Sequence, residues 1–218
     1  CIVMSFLCSE KHPLIIYMEP GCTPERIQIM KAYGTDVRGI MEIPGAEQIL
    51  KEYGFDPVRL MDSVKNFAKE QDYFYVAQLF NENNPGAHYK TTGPELVEDS
   101  DGKIDIAVML AGTAGTLAGV GSYLQEHVPG VQIVGVQPTP DSLSFVPDAK
   151  ATIDGVVIFD KPTGCTHPFV VRRNFKYDEV INVKGEDAYA TAREVAASDG
   201  VFLGASAAAA LTAAKELA

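Results

Sequence analysis

The spacing of apolar positions divides the chain into alternating strands and helices. Short, nearly continuous apolar runs predict buried strands at 14–18, 37–41, 73–80, 104–110, 131–136 and 201–203. Apolar residues three or four positions apart, with capping residues, Pro or Gly at the ends, predict helices at 1–10, 23–34, 45–53, 57–70, from 92, up to 127, at 186–198 and from 204. This alternation indicates an α/β fold with two layers of parallel sheet and helices on both faces.

The order of the elements also predicts a division into two parts. The polar segment 81–86, Asn-Glu-Asn-Asn-Pro-Gly, is typical of a loop, so we expect one α/β part at 1–80 and a second at 81–218. In the second part, the strand, helix and strand of 104–136 form a βαβ unit, which brings two parallel strands together. Residues 138–180 are rich in Pro, Asp and Thr and predict irregular structure.

Composition narrows the possible functions. The net charge of the 218 residues is -11, which argues against a nucleic-acid partner because phosphate backbones are bound by a surplus of Lys and Arg. No apolar stretch reaches the length of a membrane span. The four cysteines have neither CxxC spacing nor a histidine at metal spacing, so we expect no metal site and a reduced compartment, cytoplasmic or organellar. The chain begins at Cys1, and we expect the start of the natural domain to be missing.

A Gly/Thr loop between the strand 104–110 and the following helix is the strongest local signal. Small residues allow a ligand to approach the backbone, and the free N–H groups of a helix start favour an anion. The hydroxyls of Thr113 and Thr116 add donors, so the loop suits a phosphate monoester. It has neither P-loop nor GxGxxG spacing, and Gln137, not an acid, follows the next strand. A tight turn built from small residues for packing is the alternative.

Two further residues carry weaker signals. Ser206 stands where the last helix begins, which is typical of an N-cap, although its hydroxyl also suits the ring nitrogen of a cofactor. Gln78 precedes the polar segment 81–86 and, considered alone, is a surface residue.

Taken together, three segments resemble the cysteine synthase and cystathionine β-synthase family, which belongs to the pyridoxal-phosphate enzymes of fold type II. They lie in the family's order and spacing: QLFNENNPGAHYKTTGPE at 78–95, DGKIDIAVMLAGTAGTLAGVGSYLQEHVPGVQIVGVQP at 101–138 and DGVFLGASAAA at 199–209. The resemblance implies the two-domain, tryptophan synthase β-like fold of that group, here without the N-terminal part. It also implies a homodimeric full-length enzyme acting on a small amino acid.

The resemblance also implies roles for particular residues. The cofactor phosphate would be bound by the loop whose residues are Gly112, Thr113, Ala114, Gly115 and Thr116. Ser206 would contact the pyridine nitrogen, and a neutral serine there suits β-elimination and β-replacement. Gln78 would help to bind the substrate carboxylate. The implied reaction is β-replacement on O-acetylserine or serine, which makes cysteine.

Several positions depart from the family. The lysine that holds the cofactor as a Schiff base lies upstream in the family, and we expect it to be absent here. Ser63-Val64-Lys65 has the letters of that motif but falls in an amphipathic helix, so we interpret it as chance. Ala114, Ala208 and Val157 replace glycines, and the segment up to Asp178 is longer than usual. We therefore expect no catalytic residue in this chain alone, and an inactive regulatory relative, a cystathionine β-synthase and a serine/threonine dehydratase stay open as functions.

The remaining chemically interesting side chains have simpler interpretations. His88 and His167 are predicted to lie in loops without a second metal ligand. Arg172 and Arg173 are predicted to be solvated, and Cys165 is interpreted as a packing residue.

Overall fold

The structure is a computed structural model that describes residues 2–8, 11–18, 22–54, 57–144, 146, 148–165 and 167–218. The chain divides into two compact units, 1–76 and 77–218. This division lies close to the boundary predicted at 80/81, and the assignment of the two parts to domains of a larger protein stays a prediction.

The first unit contains a small parallel sheet with its helices. Its elements are α1 (Ile2–Cys8), β1 (Ile15–Met18), α2 (Pro24–Ala32), β2 (Asp36–Gly39), a 3₁₀ turn (Ile40–Glu42), α3 (Ala46–Tyr53) and α4 (Pro57–Glu70). β1 and β2 pair in parallel, with Ile16 opposite Val37. A core of Ile43, Ala46 and Leu60 lies where α3 and α4 pack together.

The second unit contains a three-stranded parallel sheet in the order β3-β4-β5. Its elements are α5 (Asn83–Lys90), α6 (Thr92–Asp99), β3 (Ile106–Leu110), α7 (Gly115–His127), β4 (Gln132–Pro138), α8 (Pro168–Arg172), β5 (Glu179–Val183), α9 (Gly185–Ser198) and α10 (Ala205–Leu217). On the central strand β4, Ile133 joins a core with α7 and α8, whereas Val136 joins a core with α9 and α10. Helices therefore cover both faces of this sheet.

The predicted α/β class with parallel sheets is confirmed, whereas several local predictions are wrong. Residues 73–80 form no strand, and Phe74 is 86% exposed. The polar segment predicted as a loop enters α5 at Asn83, since a proline in the first helical turn, here Pro85, breaks no hydrogen bond. Residues 201–203 form no strand, α8 lies within the segment 138–180 predicted to be irregular, and β5 begins at the end of that segment.

Two properties of the described residues bear on function. None of the helices there combines the length and the apolar composition needed to span a bilayer. Within the same ranges, no group of three or more His, Cys, Asp and Glu side chains is arranged to hold a metal ion.

Candidate functional site

The Gly/Thr loop connects the end of β3 to the first turn of α7. The first hydrogen bond of the helix runs from the N–H of Ala118 to the carbonyl of Ala114, at 2.9 Å. Among the described residues, no hydrogen-bond partner exists for the N–H groups of Thr113, Ala114, Thr116 and Leu117. The loop thus offers four free backbone donors at the positive end of a 13-residue helix, an arrangement suited to an anion.

Asn84 of α5 holds this loop from one side. Its amide nitrogen Nδ2 donates to Oγ1 of Thr113, at 3.1 Å, and to the backbone carbonyl of Gln78, at 2.8 Å. Oγ1 of Thr113 also accepts from the N–H of Gly115, at 3.2 Å. A Cβ atom on Gly115 would overlap Oδ1 of Asn84, so this position has room only for glycine. Asn84 therefore joins the loop to the segment that carries Gln78.

His88 connects the same helix to the far end of the loop. Its Nε2 lies 3.1 Å from Oγ1 of Thr116, and its Nδ1 lies 3.1 Å from Oγ1 of Thr92. The prediction that His88 lies in a loop is wrong, because it belongs to α5. If Nε2 carries the hydrogen, Thr116 accepts from His88 and its own hydroxyl proton is free for a ligand.

His167 contacts the loop from the other side. It stands immediately before α8, and its Nε2 lies 2.8 Å from the carbonyl oxygen of Gly112. Because a carbonyl only accepts, Nε2 carries the hydrogen. The ring is 8% exposed, and burial lowers the pKa of His167 while the bond to Gly112 opposes that change. The imidazole is therefore neutral at pH 7.

Gln78 and Ser206 lie in the same unit as the loop, but they are less constrained. The Gln78 side chain is exposed and makes no hydrogen bond with the described residues. Ser206 is half-buried in the first turn of α10, whose N-cap is Gly204 and lacks a side-chain cap bond. The capping interpretation of Ser206 is therefore wrong. No hydrogen bond within the described ranges joins Ser206 to the loop, and its cofactor role stays a prediction.

Arg172 and Arg173 are not merely solvated, because each donates a hydrogen bond to another segment of the second unit. Nη1 of Arg172 donates to the carbonyl of Phe80, at 3.2 Å, and Nε of Arg173 donates to the carboxylate of Glu82, at 2.9 Å. Both arginines thus hold the segment between Gln78 and Asn84 to the end of α8. Cys165 is partly buried against the core beside α7, in agreement with a packing role.

Sequence reasoning missed the three side chains that hold the loop. Asn84, His88 and His167 contact it across 29, 28 and 55 residues of chain. The Asn-Asn-Pro-Gly letters favour a turn, and neither histidine has a partner at a recognisable spacing. Only the three-dimensional packing of α5 and α8 against the loop reveals these contacts.

Fold and loop together define a class, namely α/β proteins in which a loop of unpartnered N–H groups joins the carboxyl end of a parallel strand to the start of a helix. Comparison with known proteins makes the class more specific. The family model described as "Pyridoxal-phosphate dependent enzyme" matches residues 1–218, so the chain belongs to this family. The cofactor predicted from the sequence, pyridoxal phosphate, is the one in the family's name.

Individual relatives agree with this family. The chain is 32% identical to Cysteine synthase 3 of Caenorhabditis elegans over 208 residues, covering 95% of this chain and 57% of the relative. It is 31% identical to a cysteine synthase of Staphylococcus aureus (strain N315) over 216 residues, covering 98% of this chain and 64% of the relative. An O-acetylserine dependent cystathionine beta-synthase from Helicobacter pylori superposes with a TM-score of 0.73 at 27% identity, covering 94% of this chain and 62% of that one.

These comparisons confirm the predicted resemblance to cysteine synthases and to the fold type II enzymes. The chain spans 57% and 64% of the length of the two curated relatives.

Proposed function

We propose that the chain is the cofactor-phosphate part of an enzyme that uses pyridoxal phosphate for β-replacement on O-acetylserine or serine, forming cysteine. The four unpartnered N–H groups of Thr113, Ala114, Thr116 and Leu117 carry this proposal, because they supply the donors that a phosphate dianion requires. The names of the two curated relatives support the choice of product.

The residues of the loop fit the phosphate group of this cofactor. The backbone donors have no competing acceptor among the described residues, and the exposed hydroxyl of Thr116 lies beside them. Gly112 and Gly115 carry no side chain that would fill the anion's place. Ser206 would donate to or accept from the pyridine nitrogen, and Gln78 would donate to the substrate carboxylate.

The chemistry would then be shared between the cofactor and the chain. Pyridoxal phosphate supplies an electron sink for the bond cleaved at the amino acid's α-carbon. The loop would bind the phosphate and fix the position of the ring. A neutral Ser206 beside the ring nitrogen would make the ring withdraw electrons less strongly than an acidic residue at that position would. This favours loss and replacement of a β-substituent.

We expect this chain alone to be inactive, because no lysine in it corresponds to the family's Schiff-base lysine. Lys65 is exposed on α4 of the first unit, and Ser63 beside it donates to the carbonyl of Pro44. The homodimeric state and the cytoplasmic or organellar compartment stay predictions.

A second candidate function follows from the segment 155–178, which departs from the family, and from the similarity to a cystathionine beta-synthase structure. In that case serine would be condensed with a larger thiol. A serine/threonine dehydratase and an inactive regulatory relative are two further candidates. With the full-length protein, O-acetylserine plus sulfide yielding cysteine supports the first proposal. Serine plus homocysteine yielding cystathionine supports the second, and a 2-oxo acid from serine or threonine alone indicates a dehydratase.

The loop assignment is tested by Thr116→Val, which keeps the shape of the side chain and removes its hydroxyl. Because hydrogen bonds to charged groups contribute about 1.5–3 kcal/mol, the dissociation constants of pyridoxal phosphate and inorganic phosphate should both rise about tenfold or more. Isothermal titration calorimetry measures both. Thr91→Val is the matched control, because the Thr91 hydroxyl donates to the carbonyl of Ala87 in the preceding helix and not to the loop. Equal binding by wild type and Thr116→Val, or no binding by wild type, contradicts the assignment.

The absence of the lysine has its own test. The wild-type chain is mixed with pyridoxal phosphate, reduced with borohydride and dialysed, and the retained cofactor is mapped by mass spectrometry. We expect no single lysine to be labelled stoichiometrically. Stoichiometric labelling of Lys65, lost in Lys65→Arg, would show that the interpretation of Ser63-Val64-Lys65 as chance is wrong.

A further inference from the structure

Three residues of the segment 155–178, which departs from the family, contact the end of β3 and the loop that follows it. The N–H of Val157 donates to the carbonyl of Ala111, at 2.9 Å. A Cβ atom on Gly112 would lie 2.5 Å from the carbonyl oxygen of Gly155, so the backbones meet there without an intervening side chain. His167 adds the hydrogen bond to the carbonyl of Gly112. The segment therefore fixes two consecutive residues at the entrance of the loop.

The bond from His167 determines the direction of one peptide group. In a planar trans peptide, the carbonyl and the following N–H point to opposite sides. When Nε2 of His167 holds the carbonyl of Gly112, the N–H of Thr113 must point away from the imidazole. That N–H is one of the four without a partner among the described residues.

A peptide at this position needs such a restraint. Glycine accepts more backbone conformations than any other residue, so the peptide between Gly112 and Thr113 can rotate more readily than its neighbours. A rotated peptide would present the carbonyl oxygen of Gly112, an acceptor, where the bound phosphate requires a donor. It would also leave a carbonyl beside the phosphate oxygens, where the two repel.

The His167 ring is well placed for this task. It is buried, and its Nδ1 has no hydrogen-bond partner among the described residues. The bond to Gly112 is thus the polar contact that orients the ring. On the other side of the loop, Asn84 holds the hydroxyl of Thr113.

We infer that His167 is a positioning residue of the phosphate site, which holds the peptide between Gly112 and Thr113 so that the N–H of Thr113 faces the anion. The inference rests on the proposed function of the loop. His167 itself touches neither the phosphate nor the reacting atoms.

The test compares two replacements of His167. His167→Gln keeps an N–H donor at about the reach of Nε2, whereas His167→Leu fills the space without a donor. We expect the dissociation constants of inorganic phosphate and pyridoxal phosphate to rise about tenfold in His167→Leu and to stay within about threefold of wild type in His167→Gln. His127→Gln is the control, because the hydrogen bond and the ring stacking of His127 both involve Tyr123 of its own helix and not the loop. Equal affinities in wild type and His167→Leu, or equal losses in both replacements, overturn the inference.

A second measurement uses the wild-type chain and does not depend on how the variants fold. In ¹⁵N-resolved spectra, phosphate should move the amide proton of Thr113 downfield together with those of Thr116 and Leu117. Downfield shifts of the Thr116 and Leu117 amide protons without a shift of the Thr113 amide proton overturn the inference and leave the proposed function intact. A wild-type chain that binds neither phosphate nor pyridoxal phosphate overturns both.

Discussion

Asn84 and Gly115 depend on each other at the scale of single residues. Asn84 lies where a side chain on Gly115 would be, and its amide bonds both Thr113 and Gln78. Gly115→Ala should therefore displace Asn84 and lower the free energy of unfolding by about 2 kcal/mol, as overpacked sites do. In an Asn84→Ala background, the same change should cost less than about 1 kcal/mol, because the obstructing amide is gone.

A double-mutant cycle followed by urea unfolding and far-UV circular dichroism measures this dependence. We expect a coupling energy of about 1 kcal/mol or more between the two positions. Additive effects would mean that the loop shifts to admit the methyl group without moving Asn84. The close approach of Gly115 to Asn84 would then contribute nothing to the cost of Gly115→Ala.

His167 gives a second prediction at the residue scale, which concerns pH. Burial lowers the pKa of His167 below its ordinary value of 6.5, so the unfolded chain takes up this proton at a higher pH than the folded chain does. Stability from the neutral imidazole is complete above pH 6.5 and is lost as the pH falls below it. His167→Gln should therefore show a smaller fall in unfolding free energy between about pH 7.5 and 5.5 in urea titrations. An equal fall in unfolding free energy in wild type and His167→Gln would show that groups other than His167 cause the pH dependence of stability.

The packing of α5 on α7 sets the next prediction, at the scale of elements. A Cβ on Gly119 of α7 would overlap the carbonyl oxygen of Pro85 and lie 2.8 Å from Cβ of His88. Gly119→Ala gains about 1 kcal/mol of helix propensity, but overpacking costs about 1–3 kcal/mol, so the melting temperature should fall. Gly86 of α5 has no atom near its Cβ position, and Gly86→Ala should raise the melting temperature through propensity alone. Thermal circular dichroism should therefore show a lower melting temperature for Gly119→Ala and a higher one for Gly86→Ala. An increase in both variants would contradict the close packing of α5 on α7.

The elements that can be predicted from the sequence are those with a local cause. α7 follows a buried apolar strand and ends before Pro129-Gly130, and α2 starts at Thr23-Pro24-Glu25. The segment 201–203 has residues typical of a strand, but such residues form a strand only where they pair and pack against neighbours. Phe202 is 95% exposed, so this packing is missing. The candidate site follows the same rule. Its loop has a local pattern, whereas its support by His167 depends on tertiary contact.

At the scale of the whole molecule, the hydrogen bonds that support the loop among the described residues lie within the second unit. Every hydrogen bond that joins the loop to the described residues comes from within 77–218. A protein of residues 77–218 should therefore bind inorganic phosphate with a dissociation constant within about threefold of the 218-residue chain, measured by calorimetry. Loss of binding in a folded 77–218 protein would show that residues 1–76 contribute to the site.

The long sequence separation of the loop's contacts has a consequence for folding kinetics. Its partners lie 28, 29 and 55 residues away along the chain, and contacts between distant positions form only after the entropy of closing those loops has been lost. We expect the loop to be unformed in the folding transition state, so that a bound anion slows unfolding and leaves the folding rate unchanged. Stopped-flow circular dichroism with and without phosphate would measure both rates. A bound phosphate would then prolong the lifetime of the folded unit without hastening its formation.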